Sequence, residues 1–359
     1  VEPLHGDLLR IRQAEIIPPL HANNNRGKRS IAVDTGHRAG VDIVLDLAAG
    51  VDVFIENFRP GVCERIGLCE DAIGARSPEV IHVSISGFGP DGPYADRACL
   101  DPVIQGVTGM VDGQRSDALP FPDLVRTLVA DKTTAYTAAQ AITAALFARE
   151  RGAGGQHLEI PMLDTALYWL WPDTFMGHTF EGDDIVPGPL LYDIYRLQQT
   201  ADGHLVYFAA SDAEWQGLCT ALGHPEWWED DRFCKLEERI KAENFEAIGE
   251  MVNNAFLGFP TGDIMARLDE NDVPSAPMLH LDEVFDDPQV TNNAAIHRWE
   301  HPTVGPVRMA KPPVRFSSTG HDPVWAADEL GASTDDILAE LGYATDTVAD
   351  LRRRGVIGG

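Results

Sequence analysis

One carboxylate, Asp131, sits where an apolar run ending Leu128, Val129, Ala130 gives way to an alanine-rich helical pattern over 133–150. A helix N-terminus presents free backbone N–H groups and the positive end of the helix dipole, so it favours negative charge. A carboxylate held there is either an N-cap or a pre-oriented nucleophile for an activated carbonyl. Residue type alone favours the cap, because Asp is among the preferred capping residues. Asp164 competes with it. It too follows a strand-like run and precedes a helical one, and it reads as an N-cap. Two glycine-bearing runs also end strand-like stretches: Glu56, Asn57, Phe58, Arg59, Pro60, Gly61, and Ser86, Gly87, Phe88, Gly89, Pro90, Asp91, Gly92, Pro93. In an open parallel sheet, ligands bind at the carboxyl ends of the strands, so both runs lie on the expected binding edge. Tight turns alone also account for them. Neither is a GxGxxG or a P-loop, so dinucleotide hydride transfer and phosphoryl transfer lack support.

Composition narrows the partners. The chain has 359 residues, 44% of them hydrophobic, enough for a large core and a smaller one. A formal net charge of −28 argues against nucleic acid or an anionic membrane as the main partner. Cations for an anionic ligand must then be concentrated locally, and Arg26, Lys28 and Arg29 form a basic cluster that reads equally well as a solvated loop. The five cysteines, Cys63, Cys69, Cys99, Cys219 and Cys234, include no CxxC, and the odd count indicates neither a disulfide framework nor a zinc site. His297 and His301 fall in an irregular, proline-containing stretch without a helical face for a metal, so none is expected. No apolar run approaches the roughly 18 residues needed to span a bilayer. The expectation is a cytoplasmic protein.

The elements that must position these residues follow from periodicity. Strands are expected at 30–34, 51–58, 80–86 and 156–162. Helices are expected at 39–49, 64–75 and 133–150, with another starting at 164. That alternation predicts βαβ units, a parallel sheet and right-handed crossovers: an α/β fold with a Rossmann-like large domain. Residues 192–199 and 204–210 flank a hairpin-like turn, Thr200, Ala201, Asp202, Gly203. Helices follow at 213–222, 241–255 and from about 263. The expected organisation is a large domain over 1–185, a small α+β domain over 190–290, and a C-terminal segment over 296–359 that returns to the large domain. That segment reads as irregular at first and ends in helices at 335–341 and 345–354.

The ordered set of motifs resembles the class III CoA-transferases, the CaiB/BaiF superfamily that includes formyl-CoA transferase, carnitine CoA-transferase and α-methylacyl-CoA racemase. It comprises Lys28, Arg29, Ser30, Ile31; the 56–61 run; the 87–93 loop; and the 128–131 stub. Arg151 to Gln156, Thr200 to Gly203, Asp287 to Val290, His301 to Pro306, Gly331, Ala332 and Ile337 to Leu341 extend it over nearly the whole chain. The resemblance implies that Asp131 is the nucleophile. It further implies that Val33, Asp34, Thr35 and Gly36 form a strand end touching CoA, that Asn57, Phe58 and Arg59 make the next contact, and that Arg65 lies near the CoA phosphates. Cys99, Leu100 and Asp101 match the segment facing the thioester. The implied activity moves CoA from an acyl-CoA to a carboxylic acid without metal or redox cofactor, through an aspartyl anhydride and an aspartyl-CoA thioester. Backbone N–H groups at the helix start and in the glycine loop are expected to stabilise the oxyanions, and the helix N-terminus to keep the aspartate ionised. An interlocked homodimer is also implied.

Two positions depart from the family pattern. The racemase branch places a histidine directly before the aspartate at 101; here it is Leu100, which moves no proton. This disfavours the alternative of an acyl-CoA racemase. Val1, Glu2 and Pro3 match a point just after the family's second strand, and roughly 35 residues of the pattern, about one βα unit plus a strand, are absent. The expectation is an incomplete nucleotide site with exposed backbone edges and Arg10 and the 26–29 cluster as remaining phosphate candidates. A non-catalytic CoA-binding scaffold stays open on this ground. Trp171, Phe175, His178 and Tyr192 cluster over 171–192. Such aromatics more often form core than a substrate wall; as a wall they suit a medium-sized, partly apolar acid.

Overall fold

The structure is a computed structural model, and it describes residues 1–10, 18–115, 122–182, 194–301, 304–320 and 323–359. These fall into two compact units. The first comprises Val1–Ile104, Val129–Thr165 and Phe285–Gly359, and the second Gln105–Leu128 and Ala166–Val284.

The first unit holds the α/β part. Its elements begin with α1 (Pro19–Asn25), β1 (Ala32–Val33), α2 (Arg38–Ala48), β2 (Val53–Glu56), α3 (Val62–Ile66), α4 (Glu70–Arg76) and β3 (Ile81–Ser86). They continue with α5 (Asp101–Val107), which runs on into the second unit, then α6 (Val129–Ala148) and β4 (Gln156–Pro161). Strands β2, β3 and β4 form a parallel sheet in that order, with Val53 opposite Ile81 and Ile81 opposite Gln156. Parallel neighbours need crossovers, and α3 with α4, then α6, supply them. Ile81 and Val83 of β3 and Ile160 of β4 pack against Ala138 and Ala145 of α6. Small alanines let the helix lie close to the sheet.

Strand β1 does not join that sheet. It pairs antiparallel with β10 (Ile357–Gly358) at the C-terminus, and Glu2 bridges to Ala32. Among the described residues, β2 therefore pairs with β3 alone. A second core forms around β1 and β10. Val41, Val44 and Leu45 of α2, Ile73 of α4, and Leu338 and Leu351 of the C-terminal helices Thr334–Glu340 and Thr345–Arg353 join Val33 and Ile357 there. Each fully buried aliphatic chain of this kind is worth roughly 1.5–3 kcal/mol. The stretch expected to be irregular after 296 instead opens with an antiparallel hairpin, β8 (Ile296–His301) and β9 (Gly305–Ala310). The prolines stand at 302 and 306. The first lies outside the described residues, and the second is tolerated in a hairpin with no further strand paired to it among the described residues.

In the second unit, β5 (Gln198–Gln199), β6 (His204–Tyr207) and β7 (Ser275–Pro277) make an antiparallel sheet, and the Thr200 N–H closes the predicted turn on the Gly203 carbonyl at 3.0 Å. Helices Asp212–Ala221, Ala242–Phe256 and Thr261–Glu270 cover it through Trp215, Leu218, Phe256, Ile264 and Leu268. Ser211 and Glu214 form a reciprocal capping box on the first of them.

Candidate active site

Helix α6 begins at Val129, so the apolar stub 129–130 is helix rather than strand, and Asp131 is its third residue rather than its cap. Asp164 likewise stands third in the helix Met162–Leu170, so it caps nothing. The stub is short enough that periodicity does not separate a buried strand end from a helix start.

The crossover fixes where Asp131 lies. At the far end of α6, Arg149 donates to the Asp52 and Glu79 carbonyls and pairs with the Asp52 carboxylate at 2.7 Å. Those residues precede β2 and β3, so the end of α6 sits at the amino edge of the sheet. Its start, carrying Asp131, therefore sits at the carboxyl edge, with residues 57–61 and 87–93.

A second carboxylate holds the start of α6. Asp101, 2% exposed, accepts the Asp131 backbone N–H on Oδ2 at 3.0 Å. Loss of water around the Asp131 carboxyl, then the charge of Asp101, push its pKa above the usual aspartate value, and Lys132 partly offsets them. The Asp131 carboxylate nevertheless reaches solvent, because the residue is exposed. Cys99 lies in the same field: burial first, and Asp131 second, raise its thiol pKa. Leu100, 71% exposed, stands between Cys99 and Asp101. The glycine loop closes on this group, for a Cβ at Gly87 would come within 2.3 Å of the Cys99 Cβ. Gly87, Cys99, Leu100, Asp101 and Asp131 are thus brought together.

The expected oxyanion donors are partly committed elsewhere. The Asp131 N–H serves Asp101, and the Gly89 N–H donates to Ser86 Oγ at 3.1 Å. Any oxyanion donor at this edge is another N–H.

The other residues divide. Asn57, Phe58 and Arg59 are exposed past the end of β2, and the Phe58 N–H donates to Glu56 at 2.7 Å. Arg65 reaches back over Gly61, whose φ of +78° starts α3. Neither Arg59 nor Arg65 has a carboxylate partner among the described residues, so both guanidinium groups are available to an anion. Phe58, Arg59 and Gly61 line a pocket of about 450 Å³. Val33 contributes no side chain, being 1% exposed in the core. Asp34 accepts the Gly36 N–H at 2.9 Å, and α2 follows so closely that a Cβ at Gly40 would meet the Asp34 carbonyl at 2.0 Å. Thr35 lies in that turn.

The remaining phosphate candidates are already engaged. Arg10 holds Glu2 through two nitrogens and the Asp328 carbonyl at 2.9 Å. Arg26 donates to the Ala310 carbonyl, Lys28 to Asn25, and Arg29 pairs with Glu340. Each of these cations has a partner in this fold, which a charge run in sequence does not reveal. Trp171 stacks on Phe175 at 5.1 Å, with His178 beside it, whereas Tyr192 lies outside the described residues. His297 stacks on Trp325 and His301 lies against Trp299 on the β8 strand. No group of three or more metal-ligating side chains occurs among the described residues, and no described helix is long and apolar enough to cross a membrane.

Sequence reasoning missed the other face of the sheet. His82, Ser84 and Ser86 alternate with Ile81, Val83 and Ile85, a period of two that marks one polar face on β3.

Known proteins resemble this chain over most of its length. The model for CoA-transferase family III matches residues 1–334. The succinyl-CoA:glutarate CoA-transferase of Homo sapiens is 29% identical over 93% of this chain and 76% of its own length. The succinate–glutarate CoA-transferase of Agrobacterium fabrum is 31% identical over 89% of this chain and 80% of its own. The formyl-CoA:oxalate CoA-transferase of Bradyrhizobium diazoefficiens is 28% identical over 93% and 83%. Among solved structures, a CaiB/BaiF family protein from Brucella suis superposes with a TM-score of 0.75 at 28% identity, covering 95% of this chain and 90% of the other. A hypothetical protein from Mycobacterium tuberculosis gives 0.80 at 26% identity, covering 94% and 90%. With an aspartate at the carboxyl edge of a parallel sheet, Arg59 and Arg65 without a carboxylate partner among the described residues, and a family match over most of its length, the chain belongs to CoA-transferase family III and is a CoA-transferase.

Proposed function

We propose that Asp131 is the covalent nucleophile that moves CoA from an acyl-CoA thioester to a carboxylic acid. The observation that supports this reading is the exposed Asp131 carboxylate, held at the carboxyl edge by the buried Asp101 through its backbone N–H. In the first step a carboxylate oxygen of Asp131 attacks the thioester, the C–S bond breaks, and an acyl-aspartyl anhydride and CoA thiolate form. The thiolate then attacks the aspartyl carbonyl, releasing the donor acid and leaving an aspartyl-CoA thioester. The acceptor carboxylate attacks that thioester and expels CoA thiolate, giving a mixed anhydride. Thiolate attack on its acceptor carbonyl frees Asp131 and forms the new CoA ester. Splitting one exchange into such steps is the gain of covalent catalysis. No permanently bound cofactor is required; CoA enters and leaves as substrate.

Arg59 and Arg65 suit the CoA phosphates, as guanidinium groups without a carboxylate partner among the described residues. Asn57 and Phe58 flank them, residues 33–36 serve through backbone and Asp34, and Cys99 and Leu100 face the acyl group. The relatives named for glutarate and oxalate lead us to a short dicarboxylic acid as the acceptor class. Leu100, without a proton to move, disfavours racemisation. The five free cysteines suit a reducing, cytoplasmic location. The test is to incubate the protein with a panel of acyl-CoAs, trap with hydroxylamine or borohydride, and map the modified peptide. Modification at residue 131 is expected; its absence with every donor sinks the reading.

The pH profile offers a second check. The attacking group must be ionised, so the rate rises with pH through the Asp131 pKa, which lies above the usual aspartate value. Asp101→Asn keeps an acceptor for the Asp131 N–H but removes the like charge. Its acid limb should move to lower pH in single-turnover acylation. An unmoved limb means that another group sets it.

We further propose that a second copy covers α6. Tyr136, 76% exposed, and Phe147, 65% exposed, lie eleven residues apart on one face of an alanine-rich helix. Light scattering should give twice the 39.2 kDa chain mass. The double substitution Tyr136→Asp, Phe147→Asp should give a monomer; an unchanged dimer removes α6 from the interface.

A further inference from the structure

The face of the parallel sheet turned away from α6 carries a hydrogen-bonded chain that the CoA-transfer cycle does not use. Parallel sheets in α/β proteins are normally apolar on both faces. Here one face bears Glu56 on β2, His82, Ser84 and Ser86 on β3, and His157 and Glu159 on β4. His82 stands opposite His157 in the register, and the rings stack with centroids 4.7 Å apart. Ser84 is one pleat further on, so its hydroxyl reaches His157 diagonally. Ser84 Oγ lies 2.9 Å from His157 Nε2, and His157 Nδ1 lies 3.1 Å from Glu70 Oε2 at the start of α4. A carboxylate only accepts, so Glu70 selects the tautomer with the proton on Nδ1. Nε2 is then the acceptor, and the Ser84 hydroxyl donates to it. This is the order of groups that activates a serine: hydroxyl, imidazole, orienting carboxylate.

The chain opens on space. Ser84, His157 and Glu70 line the pocket of about 450 Å³, and both Ser84 and His157 are only partly buried. His82 lines the same pocket at 4% exposure, and neither ring nitrogen has a partner among the described residues. A neutral ring there has one N–H and one lone pair to offer a polar ligand atom. A satisfied structural histidine would leave neither.

We propose that Ser84, with His157 as general base and Glu70 as its orienting carboxylate, is a second nucleophile that takes an acyl group from an activated ester or thioester. Ser84 Oγ attacks the acyl carbon as its proton passes to His157 Nε2. The Oγ–C bond forms, the bond to the thiol or phenol breaks, and the leaving group departs with that proton. Water then attacks the seryl ester, gives its proton to Nε2, and the Ser84 oxygen recovers it as the acid leaves. The net reaction is hydrolysis, and it makes no use of Asp131.

The test uses the intact protein with a fluorophosphonate probe and with p-nitrophenyl acetate, followed by peptide mapping. The expected result is a label on Ser84, present in Asp131→Ala, absent in Ser84→Ala, and slowed about 100-fold in His157→Gln, the usual reach of a general base. Glu70 is exposed, so Glu70→Gln keeps the fold and reads the chain independently of His157→Gln; it should slow labelling by about tenfold or more. No label on Ser84 in the folded protein overturns the proposal. So does a labelling rate unchanged in both His157→Gln and Glu70→Gln, which would mark Ser84 as an ordinary surface hydroxyl.

Discussion

Asp131→Ala should lower CoA transfer on the order of 10⁴-fold or more, because removing a covalent nucleophile removes the route and not merely a contact. The substitution leaves the fold intact. Asp131 is exposed, and its contact with Asp101 runs through the backbone N–H, which alanine keeps. An unchanged thermal melt beside a lost rate would therefore locate the defect in chemistry. The trapped acyl or CoA adduct should vanish together with the rate. Asp164→Ala is the matched control. It sits at the same helical position in the next helix, equally exposed, and lacks a buried carboxylate like Asp101 on its N–H among the described contacts. It should retain both rate and adduct. If Asp164→Ala loses the adduct and Asp131→Ala keeps it, the nucleophile has been assigned to the wrong helix.

The contrast between these two aspartates shows what could be read in advance. Strand–helix alternation was enough to give the parallel sheet, its carboxyl edge and the presence of both carboxylates at helix starts. It did not separate cap from third residue, since Val129 and Ala130 suit a strand end and a first helical turn alike. Nor did it give the electrostatics of Asp131. That depends on Asp101, thirty positions away, whose charge adds to the loss of water in raising the pKa. The partners of Arg10 and the 26–29 cluster were hidden for a related reason. A cation in sequence has no visible partner, and theirs, Glu2, Asp328, Ala310 and Glu340, lie up to some three hundred residues away. Strand β1 was expected beside the others, but its partner is the chain terminus, a pairing that no local pattern encodes. The polar face of β3 was legible as a period of two. Its meaning was not, because His157 and Glu70 are supplied by other elements.

Gly87→Ala should cost about 3 kcal/mol and lower the melting temperature by roughly 5 °C, with transfer activity falling about 100-fold. The added Cβ would stand 2.3 Å from the Cys99 Cβ and 2.7 Å from its Sγ, distances that side chains do not adopt. The Sγ can turn away about χ1, but the Cβ is fixed by the backbone and cannot yield by rotating. The segment 99–101 must therefore move away from the glycine loop. Asp101 moves with it, and the 3.0 Å bond that holds the Asp131 N–H lengthens. Adding Cys99→Gly separates this account from a general loss of stability. That change removes both close atoms and leaves the Cys99 Cα at 3.8 Å, an ordinary contact. The double variant should recover most of the melting temperature and of the rate, a coupling of about 2 kcal/mol in a double-mutant cycle. Cys99→Ser in its place should rescue nothing, because the serine Cβ occupies the same position. Equal rescue by serine and glycine would show that the thiol, not the backbone approach, sets the spacing between the glycine loop and the nucleophile.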